Sequence, residues 1–247
     1  MDKYIRSAEH IVCEGGQFYL LYADETGVYE RSTRDFVHYS ESRPLIREAD
    51  RAGITGWASP HMCWDRLAVT VDTVDGRHGI RVFFTQEYMP GYSTFSAPSD
   101  VLTPPGWDCT DGILFSGFLF FTRRTEAGAE IWVQPLRSDV PMGDPYRLFE
   151  GECPVLWHFA CSEGFVEPTA MLFFRNGRAC LSKAASPYSP VWEEIPQAVE
   201  TEGVSAAVFE DMDGSFMARI LREDGTAHFC YLEWAEESGV LIPRDIS

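Results

Sequence analysis

Cations are scarce in this 247-residue chain: 20 lysines and arginines face 38 aspartates and glutamates, a formal net charge of −18. A surface of that sign repels nucleic-acid backbones and anionic membranes, so neither is expected as a partner. Long apolar runs are also missing. The longest, ILFSGFLFF at 113–121, falls far short of the ~18 residues that span a bilayer. The opening MDKYIRSAEH lacks the apolar core of a secretory signal, which predicts a cytoplasmic protein. Among the seven cysteines there is no C-x-x-C pair and no zinc-type spacing. They are expected as reduced, buried thiols acting as small hydrophobes. Phosphate-binding glycine loops, nucleotide fingerprints and a G-x-S-x-G elbow are absent too, so no cofactor and no metal is expected. Asp211-Met212-Asp213-Gly214 begins like a calcium loop, but the remaining ligands do not follow and it reads as a hairpin turn.

Helical periodicity is nearly missing, because Gly or Pro interrupts every window of about a dozen residues. What is present instead is a succession of short aromatic and branched runs, broken by 20 glycines and 15 prolines. No linker or low-complexity segment divides them. The runs repeat as a unit: an apolar strand, a polar turn, then a more polar strand. Phe18–Tyr22, Arg81–Thr85, Phe118–Thr122, Ala170–Phe174 and Phe216–Ile220 open the five units, which are spaced about 50 residues apart. That spacing, with four strands per unit, predicts an all-β fold: a single five-bladed β-propeller domain spanning 1–247.

A propeller converges its innermost strands on a central channel. Those strands are expected just before each apolar strand, in segments 8–14, 57–71, 110–115, 151–159 and 204–209. Polar and aromatic residues in and beside them are the candidates for chemistry: Glu9 and His10, then Trp57, His61 and Trp64, then Trp107 and Asp111, then Glu152. Carboxylates converging with Trp and His suit glycoside hydrolysis. One carboxylic acid protonates the leaving oxygen, a second carboxylate attacks or activates water, and aromatic faces stack on the sugar. The same residue types also serve as turn formers, solvated loop charges and satisfied core histidines, so both readings stay open at this point.

Several stretches resemble the five-bladed furanosidase propellers, glycoside hydrolase families 43 and 32. GQFYLLYADETGVYERSTRDFVHY at 16–39 is similar to their first blade, with Tyr39 in place of a Trp. Gly56-Trp57-Ala58-Ser59-Pro60 resembles the W-A-P of the second blade. Thr110-Asp111-Gly112 stands where the third blade carries R-D-P or I-D-P. Glu152-Cys153-Pro154 looks like the E-C-P motif of the invertase-like members, and residues 186–192 (SPYSPVW) resemble the S-x-S-P-x-G-P-W stretch. The resemblance implies Glu152 as general acid and Asp111 as the residue that orients it and steadies the oxocarbenium-like charge. It also implies a small arabinosyl, xylosyl or fructosyl substrate, with Trp57 and Trp64 stacking on it and His61 bonding a hydroxyl.

The departures point the other way. Where the families carry an essential first-blade Asp this chain has Ser7, with Glu9 two positions off, and the third-blade motif lacks its Arg and Pro. A catalytically degenerate propeller that binds a carbohydrate is therefore the alternative. A second alternative is a sialidase-like hydrolase, in which arginines drawn from Arg31, Arg34, Arg123, Arg124, Arg175 and Arg178 would converge in the channel to grip a carboxylate.

Overall fold

The computed structural model describes residues 10–96, 99–158, 169–195, 202–210, 214–235 and 240–245. Their strands form five antiparallel sheets arranged as the blades of a ring. Blade one holds β1 (His10–Glu14), β2 (Gln17–Asp24), β3 (Gly27–Thr33) and β4 (Arg43–Pro44). Blade two holds β5 (Ile54–Cys63), β6 (Arg66–Thr73) and β7 (His78–Phe84). Blade three holds β8 (Asp108–Phe115), β9 (Phe118–Thr125) and β10 (Gly128–Arg137), and β10 also pairs the short β11 (Val140–Pro141) and β12 (Tyr146–Glu150). Blade four runs β13 (Glu152–His158), β14 (Thr169–Arg175), β15 (Arg178–Ala184) and β16 (Glu193–Ile195). Blade five runs β17 (Ser205–Glu210), β18 (Phe216–Leu221), β19 (Ala227–Ala235) and β20 (Val240–Asp245). One turn of 3-10 helix, Glu48–Arg51, is the only helix among the described residues.

The apolar strands are second strands, buried on both faces. In β9, Phe120 faces blade four while Leu119 and Phe121 face blade two, and all three are fully buried. Alternation of side chains explains how one strand serves two neighbours, and why its sequence reads as an unbroken apolar run. Blade two is the exception. Its second strand is β6, built on Leu67-Ala68-Val69-Thr70-Val71, and the aromatic run at 81–85 belongs to the third strand. The expected inner segment 57–71 therefore spans two strands, of which β5 is the inner one. Branched residues there replace the aromatic signal used to find the strand.

Each of five hydrophobic clusters fills one gap between neighbouring blades. Between blades five and one, Ala207, Phe209 and Met217 meet Ile11, Phe18 and Leu20. Each sheet is built from consecutive strands, so among the described residues the ring closes by this packing and not by a shared strand.

The inner strands of blades two, three and four share one device. In each, two residues oppose one on the neighbouring strand, a β-bulge, between Ala58 and His61, Thr110 and Ile113, and Glu152 and Val155. The bulged residue takes a left-handed backbone: Ser59 (φ 47°), Asp111 (φ 54°) and Cys153 (φ 52°). Its N–H is satisfied across the blade gap where the preceding blade offers a threonine. Asp111 N donates to Thr70 Oγ1 at 3.1 Å, and Cys153 N to Thr122 Oγ1 at 2.9 Å. The residue after the bulge is Pro60, Gly112 or Pro154. Gly112 has a steric reason: a Cβ there would lie 2.6 Å from Ile80 Cδ1, so the side chain of Ile80 takes the place of a proline ring.

Candidate active site

Every inner strand starts at the same mouth of the channel, and the three bulges lie close to it. The bulge turns the Asp111 carboxylate inward, where it is 6% exposed. Ser59 Oγ and Thr110 Oγ1 donate to its two oxygens, Oδ1 and Oδ2, each at 2.7 Å. Two residues beyond Thr122, on the same face of β9, stands Arg124. Its guanidinium lies 2.9 Å from Glu152 Oε2 and 3.9 Å from Asp111 Oδ2. The two carboxylates named from the sequence are thus brought together on one cation. Partial burial works against the Arg124 charge, but Asp111 and Glu152 outweigh it and hold the guanidinium above its ordinary pKa. Beside them the Cys153 thiol is pushed well up by burial, then by the two carboxylates. It is an inert, protonated neighbour and not a nucleophile.

A cleft of about 210 Å³ between blades three and four borders Glu152 directly, with Glu130, Glu150, Phe174, Arg175 and Asn176 among its walls. Glu130 accepts from the Trp132 indole (3.0 Å) and from Arg147 (2.7 Å), bonds that hold its carboxyl below the usual range. Among the described residues the channel narrows to a small cavity. Side chains from all five blades, His10, Ser59, His61, Asp111, Val155 and Ala207 among them, leave about 20 Å³, room for one water. The His10 and His61 rings meet edge to face at 4.4 Å. Burial lowers the His10 pKa to about 4 and that of His61 well below its ordinary value, His10 adding to the effect.

The other sequence candidates separate. Trp57 is 5% exposed and packs against Phe83 in the gap between blades one and two, so its face is not open to a ligand. Trp107 lies against Trp132, with the Arg123 guanidinium 3.8 Å from its ring centre. Trp64 occupies the β5–β6 hairpin tip at the opposite mouth and is 86% exposed. Glu9 and the turn at 211–213 lie outside the described residues. The six arginines of the sialidase-like alternative do not converge: Arg31 lies over Tyr39, Arg123 over Trp107, Arg175 pairs with Glu194, and none lines the channel cavity. Ser59, Thr70 and Thr122 had no assigned role from the sequence, and Arg124 was named only for the sialidase-like alternative. The signal for them was the strand alternation that places Thr122 and Arg124 on one face, at the end of β9 next to Glu152. Among the described residues no group of three or more His, Cys, Asp or Glu could hold a metal ion.

No protein-family model matches the sequence, and no curated protein matches it either. Solved structures do match its fold. A thermostable family-43 glycoside hydrolase superposes with a TM-score of 0.76 at 13% identity, over 98% of this chain and 93% of that one. An endo-1,4-β-xylanase from Bacteroides thetaiotaomicron gives 0.66 at 15% identity over 98% and 96%. An endo-arabinase from the same organism gives 0.60 at 20% identity over 98% and 94%. The chain is a five-bladed β-propeller with the fold of family-43 glycoside hydrolases.

Proposed function

We propose that this protein is a glycoside hydrolase acting on small arabinosyl, xylosyl or fructosyl substrates, with Glu152 as general acid. The observation that carries the reading is the Asp111–Arg124–Glu152 cluster at the strand-start mouth of a propeller of this fold. A guanidinium only donates, so the Glu152 Oε2 that faces Arg124 accepts, and Oε1 is left to carry the proton to the glycosidic oxygen. The hydroxyls of Ser59 and Thr110 fix both oxygens of Asp111 as acceptors, which keeps a negative charge behind Arg124 and Glu152 that steadies the positive charge developing on the sugar through the field of the cluster. The cleft beside Glu152 is the place for the sugar, and Glu9 is the candidate base or nucleophile of blade one.

A second reading, a propeller that binds the sugar without cleaving it, is favoured by the pairing of Glu152 with Arg124 and by the first-blade Ser7. One experiment separates them: release of nitrophenol from arabinofuranoside and xyloside, and of fructose from fructosyl substrates, by the wild type and Glu152→Gln. Hydrolysis predicts release by the wild type, reduced by about 10²–10⁴ in the variant, with melting temperatures that agree within a couple of degrees. Equal release by both proteins would remove Glu152 from the chemistry. Sugar binding without release, weakened in Glu152→Gln, would establish the second reading.

A further inference from the structure

Trp64 combines two features that a folded protein rarely tolerates together. It is the most exposed large apolar side chain among the described residues, at 86%, and its backbone is left-handed, φ 57°. A bulky aromatic residue in that conformation is an outlier, and the usual occupant is glycine. At the equivalent hairpin tips of the neighbouring blades the same position holds Gly15 in blade one and the small Ser116 (φ 50°) in blade three, each followed by a glycine. Neither turn chemistry nor core packing explains a tryptophan at this tip. Backbone outliers of this kind mark functional positions.

The surroundings are those of a ligand site. Trp64 borders a pocket of about 300 Å³ between blades two and three, walled by Leu114, Ser116, Leu136, Ser138 and Arg66, at the small end of the ~300–1,000 Å³ range of ligand pockets. Arg66 is held in place: its Nε donates to both oxygens of Asp139, at 2.9 and 2.8 Å, and NH1 donates to Asp65. Two of its five N–H groups are thereby committed, and three remain for a ligand. The pocket thus offers an indole face, the fixed donors of Arg66 and the fixed carboxylate of Asp139, with little net charge. An anion would meet Asp139, and a lone cation would meet Arg66. A hydroxyl both donates and accepts, and a sugar ring has an apolar face for the indole.

We infer that this pocket is a second carbohydrate site, separate from the Glu152 cleft, which holds a neutral oligosaccharide against Trp64. It shares its ligand class with the proposed function but does not depend on hydrolysis. The test is calorimetric titration of the whole protein with neutral arabino- and xylo-oligosaccharides, and with choline as a cation control. Wild type, Trp64→Gly and Glu152→Gln are compared. Glycine suits the left-handed turn, so the Trp64 variant should keep a melting temperature at or above that of the wild type. The expected result is saccharide binding weakened by at least roughly tenfold in Trp64→Gly and retained in Glu152→Gln. Unchanged saccharide affinity in Trp64→Gly, no binding by any of the oligosaccharides, or binding of choline alone would overturn the inference. If saccharide binding depends on Trp64 while no substrate is hydrolysed, this site stands and the hydrolytic reading falls.

Discussion

The two mouths of the propeller channel are built on opposite principles. At the mouth where the inner strands start, every group of the central cluster has a partner: Asp111 with Ser59 and Thr110, Glu152 with Arg124, and the Asp111 N–H with Thr70. At the opposite mouth Arg66 is fixed by carboxylates, but Trp64 stands unpacked beside it. Buried charge is expensive unless paired, so the first mouth had to become a closed network. An exposed indole on a hairpin tip carries no such penalty. Only the first mouth is therefore tightly tied to the fold, and substitutions at the two should differ both in size and in sign.

The largest contrast is chemical, in the Glu152→Gln comparison already described. The next concerns the channel that joins the two mouths. His10 has its pKa lowered to about 4 by burial, and His61 is lowered in the same direction. In the unfolded chain both take a proton near pH 6.5, while in the folded one neither does. Their contribution to stability is therefore complete above pH 6.5 and is lost as pH falls below it, for His10 through the window down to about 4. For His10 alone the loss comes to roughly 3 kcal/mol across that window. Urea unfolding at pH 7.5 and 4.5 should show the drop, and His10→Phe should flatten it relative to the wild type. Equal slopes in both proteins would mean that His10 is not excluded from water.

A smaller effect tests the bulges. Thr70→Val removes the acceptor for the buried Asp111 N–H, and Thr122→Val does the same for Cys153. Each should cost about 1–3 kcal/mol, the penalty for an orphaned buried donor. Similar losses in denaturant melts would show that the two blades use one device. If one substitution were neutral, the repeat would be geometric only.

Much of this architecture was legible in the sequence, for a physical reason. Strands buried on both faces must be continuously apolar, and runs such as FLFFT and AMLFF announced them. Blade two escaped that reading because Leu67-Ala68-Val69-Thr70-Val71 fills the same place with branched residues. Glu152 and Asp111 were found by motif, but the pairing of Arg124 with them was not, since it depends on blades three and four meeting across a gap. Trp57 and Trp64 looked alike in sequence, seven positions apart on one segment. A bulge and a hairpin separate their fates: Trp57 points into the gap behind Phe83, while Trp64 has passed to the other mouth. Stacking residues are recognisable by type, but which face they present is set by register.

The smallest expected effect has the sign that best sharpens the comparison. Holding a non-glycine residue in the left-handed region costs about 1–2 kcal/mol. Glycine at position 64 would recover that, less the roughly 0.5–1 kcal/mol that its greater freedom in the unfolded chain removes. Trp64→Gly should thus stabilise the protein by about 0.5–1 kcal/mol, a rise of about 1–4 °C in melting temperature for a chain of this size. The same substitution at Asp111, which has the same backbone hand, should destabilise. It would leave the Ser59 and Thr110 hydroxyls without their acceptor and Arg124 short of one carboxylate. Two left-handed residues, one replacement and opposite signs would separate a position kept for the fold from one kept for a ligand. A fall in melting temperature for Trp64→Gly would instead show that the indole packs on the protein, and both mouths would then be structural.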